Sequence, residues 1–169
     1  MKKIPLTKGQ FAIVDDEDFE FLMQWKWQSR HQRNKVYAGR TKHTGQKNGA
    51  KWVRDSIIMH RLIIRAPEGM EVDHIDGNGL NNQKSNLRLA TRSENSRNTA
   101  SHKDAASKYK GVSLFGRDQI WVANIYANGK QNYLGRFKTE EEAAEIYNRE
   151  AVKYFGRFAK LNEVADGAL

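Results

Sequence analysis

The chain has 169 residues, 29 Lys+Arg against 20 Asp+Glu for a net charge of +9, and no cysteine. With 29% charged and 38% hydrophobic residues it can build one domain or two small ones, but no large single core. No window approaches ~18 consecutive apolar residues, which excludes a membrane-spanning helix, and the lack of Cys excludes disulfide scaffolds, thiol catalysis and thiolate zinc sites.

The opening MKKIPLTKGQ has lysines but no apolar run behind them, so no secretory signal is expected and a cytoplasmic setting follows. QFAIV (10–14) is a strand candidate. In DDEDFEFLMQW, Phe19, Leu22 and Met23 fall at helical spacing behind an acidic first turn that suits a helix N-terminus. Residues 26–65 carry eleven basic side chains against Asp55 alone, so this segment holds the chain's entire positive surplus. With Trp27, Tyr37 and Trp52 interleaved, it has the composition of a phosphate-tracking surface, although a basic segment also serves solubility. VYAGR (36–40) and KWVRD (51–55) read as strands flanking a polar loop, TKHTGQKNGA. IIMHRLII (57–64) reads as a short buried helix.

Residues 70–98 have a different grammar. MEVDHI is a strand, DGNGLNNQKS a loop rich in Gly and Asn, and NLRLAT a second strand. TRSENSRN opens a helix whose first turn carries the Thr91-x-x-Glu94 capping pattern. TASHKDAAS (99–107) is small, polar and aperiodic, as a linker is. Beyond it, KGVSLF (110–115), QIWVANIY (119–126) and QNYLGRF (131–137) are strands, the last two joined around Asn128-Gly129. A helix follows, opened by a Thr139/Glu142 capping box and burying Ala143, Ala144, Tyr147, Ala151, Tyr154 and Phe155. The expected fold is α+β, with an N-terminal domain over 1–98, a linker over 99–106, a three-stranded antiparallel sheet plus one helix over 107–163, and a tail over 164–169.

Asp73 and His74 are adjacent at a strand end, and alternation sends their side chains to opposite sides of the ribbon. A bend would let Asp73 reach a cation near a water held by His74. Asn95, one turn into the capped helix, can add an amide oxygen. Carboxylate plus amide oxygen, completed by water and phosphate oxygens, suits Mg²⁺ or Mn²⁺ rather than Zn²⁺, and a neutral His74 can take a proton from an attacking water. An Asp-His pair alone reads equally as a turn carboxylate beside a structural histidine. DGNG (76–79) lacks the central glycine and closing acid of a calcium loop, and no two of the five histidines have the spacing of an all-His metal site. His60, on an apolar helix, reads as a structural histidine or a brace behind the site.

The string MHRLIIRAPEGMEVDHIDGNGLNNQKSNLRLATRSENSRN (59–98) resembles the HNH endonuclease family, in particular its phage and intron-encoded homing members. The resemblance implies a ββα-metal fold clasping one divalent ion, with His74 as general base and Asp73 and Asn95 as metal ligands. Asn86 would be the middle Asn that braces the loop and orients the histidine. The departure is Asn95, where the family name implies a second His. Arg61, Arg88 and Arg92 are candidates for phosphate contact or for solvated surface arginines.

SKYKGVSLFGRDQIWVANIYANGKQNYLGRFKTEEEAAEIYNREAVKYFGRFAKLN (107–162) resembles the APETALA/ethylene-response-factor type of DNA-binding domain, which lays its sheet in the major groove with the helix behind. Carried over by position, the DNA-facing residues are Lys110, Ser113, Arg117, Trp121, Asn124, Tyr126, Lys130 and Tyr133. Trp121 has a core reading beside that one. Ser113, Tyr126 and Gln131 stand where Arg is usual, which implies a different or looser target. Together the resemblances imply a metal-dependent, site-preferring enzyme of a phage or mobile element, acting on double-stranded DNA in a bacterial or phage-infected cell. One centre per chain favours nicking by a monomer, with double-strand cleavage reserved for a dimer. The alternative is a DNA-binding regulator on a non-catalytic HNH scaffold, and a third reading is an RNA-binding or RNA-cleaving protein.

Overall fold

A computed structural model describes residues 1–32, 34–98, 106–116 and 120–164. The chain divides into two compact units, Met1–Arg92 and Ser93–Leu169. Expectations at Arg117, and most of the linker at 99–106, lie outside the described residues.

The first unit opens with an antiparallel hairpin, β1 (Lys2–Pro5) and β2 (Phe11–Val14). Helix α1 (Asp16–Met23) follows, its acidic first turn facing the helix's positive end. Its apolar side buries Leu22, and the Trp27 indole NH closes the turn beyond by donating to the Leu22 carbonyl at 2.8 Å. A three-stranded antiparallel meander comes next: β3 (Gln28–Gln32), β4 (Lys35–Asn48) and β5 (Lys51–Ile58). The stretch 41–50, expected to be a loop, is instead the outer half of the β4–β5 hairpin, with a register shift between His43 and Lys47. Both faces of this half are largely exposed, so no apolar alternation marks it. Helix α2 (Met59–Ile63) is shorter than IIMHRLII suggests, because Ile57 and Ile58 end β5.

The core of the unit joins these pieces: Ile4, Leu6, Ala12, Val14, Leu22, Trp27, Ala38 and Met59 are buried together. The hairpin β6 (Glu71–His74) and β7 (Leu87–Ala90) pairs Asp73 opposite Arg88 and His74 opposite Leu87. The loop between them is clasped by the N-terminal hairpin. Ile13 bonds through its NH to the Leu80 carbonyl at 2.8 Å and accepts from the Asn82 NH at 2.7 Å. The Asp15 carboxylate accepts the Lys84 NH at 2.8 Å. Residues 1–23 are therefore part of the scaffold of the β6–β7 loop.

Helix α3 (Arg92–Arg97) begins at the last residue of the first unit, and its remainder belongs to the second. There the sheet β8 (Val112–Phe115), β9 (Ile120–Ala127) and β10 (Lys130–Phe137) is antiparallel in the order β10-β9-β8, and α4 (Glu140–Phe155) packs on one face. Thr139 and Glu142 form the expected reciprocal cap: Thr139 Oγ1 accepts the Glu142 NH at 3.2 Å, and Glu142 Oε2 accepts the Thr139 NH at 3.3 Å. Tyr109, Val112, Ala123, Ala143 and Ala144 form one buried cluster, and Ile125, Tyr147 and Ala151 another. Gly111 has φ +77°, and a Cβ there would lie 2.1 Å from the Tyr147 ring, so only glycine fits between strand and helix. Among the described residues no helix is long and apolar enough to cross a membrane.

Candidate active site and candidate nucleic-acid face

Strand alternation does separate Asp73 and His74. Asp73 is 1% exposed, and its Oδ2 accepts from Arg88 Nε at 2.8 Å and from the terminal guanidinium at 2.5 Å. His74, 3% exposed, points to the other side, where Nε2 meets Asn82 Oδ1 at 3.1 Å. The His60 ring stands edge-on to His74 at 4.9 Å, and the Tyr37 ring lies 5.5 Å from His60 and 5.9 Å from His74. His60 thus forms a wall of the His74 pocket.

The loop is held by a web of short polar contacts. Asp76 accepts from the Asn78 NH at 2.8 Å, from Asn81 Nδ2 at 2.8 Å and from Asn86 Nδ2 at 2.9 Å. Asn86 Nδ2 also donates to the Asn81 carbonyl at 2.8 Å, its Oδ1 accepts the Asp76 NH at 3.0 Å, and its carbonyl accepts the Ile75 NH at 2.9 Å. Asn86 therefore ties both limbs of the loop beside His74. The loop also presses on the meander: a Cβ on Gly79 would sit 2.3 Å from the Val36 carbonyl oxygen and 2.7 Å from the Tyr37 ring.

Burial lowers the proton affinity of the pocket's imidazoles. His74 lies below its ordinary value because desolvation outweighs the bond to Asn82 and the fields of Asp76 and Asp73. His60 falls to about 3 through burial, with His74 and Arg61 adding. Tyr37 is pushed up by burial, then by Asp73 and Glu71. Burial also works to raise Asp76, but the hydrogen bonds from Asn81, Asn78 and Asn86 prevail and hold it low. Both histidines are neutral near pH 7, the state in which an imidazole accepts a proton.

Among the described residues no three His, Cys, Asp or Glu side chains form a metal cage. The buried Asp73 carboxylate is a hard donor, which suits an ion that keeps most of its shell in water and phosphate. A cation at Asp73 would share that carboxylate with Arg88. Asn95 lies on α3, in the second unit.

The expected phosphate-contacting arginines are placed unequally. Arg61 donates to the carbonyls of Met70 at 2.6 Å, Pro67 at 3.0 Å and Ala66 at 3.4 Å, tying α2 to the following turn. Arg88 is only 11% exposed against Asp73. Arg92 is exposed at the start of α3.

In the second unit, strand period and register define an outer sheet face opposite α4. Ser113, Asn124, Tyr126, Tyr133 and Arg136 lie on it. Trp121 does not. It shares parity with Ala123 and Ile125, packs on the helix-side cluster with Phe137, and takes the core role rather than the DNA-facing one. Lys130 is exposed at the β9–β10 turn. Lys110 is half-buried, donates to the Arg97 carbonyl at 2.5 Å, and is lowered to about 8 by burial and Lys160. Arg136 was missed because plain alternation from Tyr133 sends it inward. A register shift between Tyr133 and Gly135 reverses the parity and pairs Arg136 with Val122. Asn82, Asp76 and Tyr37 were missed as well: Asn and Asp in a Gly-rich loop read as ordinary turn formers.

The model of the HNH endonuclease family matches residues 59–97. An uncharacterized HNH endonuclease of Acanthamoeba polyphaga mimivirus is 35% identical over 159 residues, covering 93% of this chain and 77% of that protein. The chain belongs to the HNH endonuclease family. Protein 3.8 of Escherichia phage T7 is 40% identical over 95 residues, 56% of this chain and 78% of its own. An AP2-like ethylene-responsive transcription factor of Arabidopsis thaliana is 44% identical over 59 residues, 35% of this chain but 12% of that protein.

Proposed function

We propose that the chain is a divalent-metal-dependent DNA endonuclease that hydrolyses one phosphodiester bond at a preferred site. The observation that carries this is the neutral, buried His74 imidazole, held by Asn82 and walled by His60 and Tyr37, next in sequence to the buried Asp73 carboxylate. His74 accepts the proton of the attacking water as the new O–P bond forms and the P–O3′ bond breaks, a contribution worth about 10²–10⁴-fold. Asp73 and Asn95 are the residues that would hold Mg²⁺ or Mn²⁺ in a ββα-metal arrangement. When bound, such an ion supplies charge stabilisation at the phosphate and the departing oxygen. Asn86 keeps the loop closed beneath the base.

The second unit supplies duplex recognition through the outer sheet face, and the basic meander of the first unit supplies phosphate attraction. One centre per chain makes the product a nick from a monomer. Site preference of the homing type fits the viral sources of two relatives.

A supercoiled-plasmid assay with and without Mg²⁺ or Mn²⁺, run beside His74→Ala, tests the proposal. Metal-dependent open circles from the unsubstituted protein alone are expected, with unchanged DNA affinity in the variant. Cutting by His74→Ala removes the base assignment. Asn95→Ala should weaken the metal titration and the rate together. One observation favours the alternative of a binding regulator on a non-catalytic scaffold, namely the Arg88 guanidinium seated on Asp73. Salt-sensitive DNA binding without cleavage in either metal would establish that alternative.

A further inference from the structure

We infer that Asn82 is a positioning residue that selects the tautomer of His74, so that Nε2 carries the proton and Nδ1 is the basic nitrogen. The inference rests on the reading of His74 as general base and names the nitrogen that does the work.

The orientation of the Asn82 amide is fixed by what surrounds it. The side chain is fully buried. Nδ2 is directed at the Leu80 carbonyl at 3.3 Å and at Met59 Sδ at 3.7 Å, two groups that only accept. Flipping the amide would bring two acceptors together at Leu80, so Oδ1 must be the atom facing His74 Nε2 at 3.1 Å. An amide oxygen cannot donate. The short contact is satisfied only when Nε2–H donates, which leaves the lone pair of the neutral ring on Nδ1.

Asn82 is itself held from the main chain. Its NH donates to the Ile13 carbonyl at 2.7 Å, and Ile13 and Asn81 form a parallel bridge. The neighbouring Gln83 and Lys84 are anchored on Asp15. The amide oxygen therefore cannot follow the ring if the ring turns. With His60 edge-on at 4.9 Å on another side, the imidazole has one orientation and one tautomer. Asn86 braces the loop through Asp76 and the Asn81 carbonyl, so the two asparagines divide the labour: Asn86 shapes the loop and Asn82 aims the base.

Two-bond ¹H–¹⁵N correlation spectra of the full-length protein at neutral pH, with His74 assigned by comparison with His74→Gln, read the tautomer without reference to activity. The Nε2–H pattern is expected in the unsubstituted protein. The Nδ1–H pattern, or an even mixture, overturns the inference. Asn82→Leu should convert His74 to a mixture and slow cleavage at least about tenfold, within the range a general base supplies, at unchanged DNA affinity. Asn82→Asp, which keeps an acceptor at the same place, should retain the Nε2–H pattern and recover most of the rate. If Asn82→Leu leaves both tautomer and rate unchanged, Asn82 is structural only. Should Asn82→Leu fail to fold, the spectrum of the unsubstituted protein and the Asn82→Asp pair still decide. An Nε2–H pattern combined with full cleavage by His74→Ala would separate the two claims, with the aiming role standing and the general-base reading failing.

Discussion

His60 Nδ1 is buried with no hydrogen-bond partner among the described residues, an arrangement with a thermodynamic consequence. Its folded value of about 3 lies below the ordinary 6.5, so the unfolded chain binds the proton more readily. The stabilisation is complete above about pH 6.5 and is lost progressively as pH falls toward 3, with about 2 kcal/mol gone by pH 5 from this group alone. His74 is displaced in the same direction and steepens the loss. Urea unfolding at pH 7.5 and pH 5 should show a clear drop in midpoint, and His60→Leu should flatten it. An equal drop in the variant would count against the burial of His60. The Asp73–Arg88 pair makes the second prediction at this scale. Arg88→Met takes the guanidinium away from a buried carboxylate and should cost about 3–5 kcal/mol. If Asp73 binds a divalent ion, Mg²⁺ should recover more of the melting temperature in Arg88→Met than in the unsubstituted protein. At the level of single residues, the adjacency of Asp73 and His74 was legible because it is local in sequence. Asn82 and Tyr37 were not, since their relation to His74 exists only after β4 and the loop meet.

Elements were legible where one face is apolar. α1 and α4 announced themselves by spacing and acidic first turns, and the Thr139/Glu142 cap was readable because both partners lie within one turn. Thr139→Ala should cost about 1 kcal/mol by removing that cap, measurable as a lowered unfolding midpoint with DNA affinity at low temperature unchanged. β1, β3 and the outer half of β4 were not legible: KKIP and QSRHQ have polar faces, and the hairpin tip is solvated on both sides. The shift at Tyr133/Gly135 is a further case, because a single added residue reverses which side chains face out. It leads to a paired prediction by gel shift. Arg136→Ala should weaken DNA binding by about 1–3 kcal/mol if it reaches a base, without lowering the unfolding midpoint. Trp121→Ala should instead destabilise the second unit by about 3–5 kcal/mol. A stable Trp121→Ala that loses binding would return Trp121 to the DNA-facing set.

Across the whole molecule, charge and packing are distributed differently. The positive surplus lies in residues 26–65, within the first unit, whereas the outer sheet face of the second unit is largely neutral and aromatic. Binding should therefore be steeply salt-dependent. About six phosphate contacts would lose about 10³-fold in affinity between 50 mM and 200 mM salt. Titrations of the unsubstituted protein and of a Lys42→Gln/Lys47→Gln/Lys51→Gln variant should show a shallower slope for the latter. Truncation after residue 106 is a poor way to isolate the nuclease: Lys110 meets the Arg97 carbonyl, and the Arg97 guanidinium lies 4.9 Å over the Phe155 ring, so the cut strips α3 of its support.

The clasp of Ile13 and Asp15 on residues 80–84 spans almost seventy positions of chain. Contacts so distant in sequence are late contacts, because the loop between them must close first. During synthesis the first hairpin and α1 leave the ribosome long before the loop they will hold, and α1, with its basic meander, must wait for the segment that follows residue 80. His74 acquires Asn82 as its neighbour only when that segment arrives. The contact between His74 and Asn82 is thus completed by the final closure of its unit, and on the proposed function a nascent or cleaved chain that retains the basic meander but ends before residue 80 should bind polyanions without cutting them.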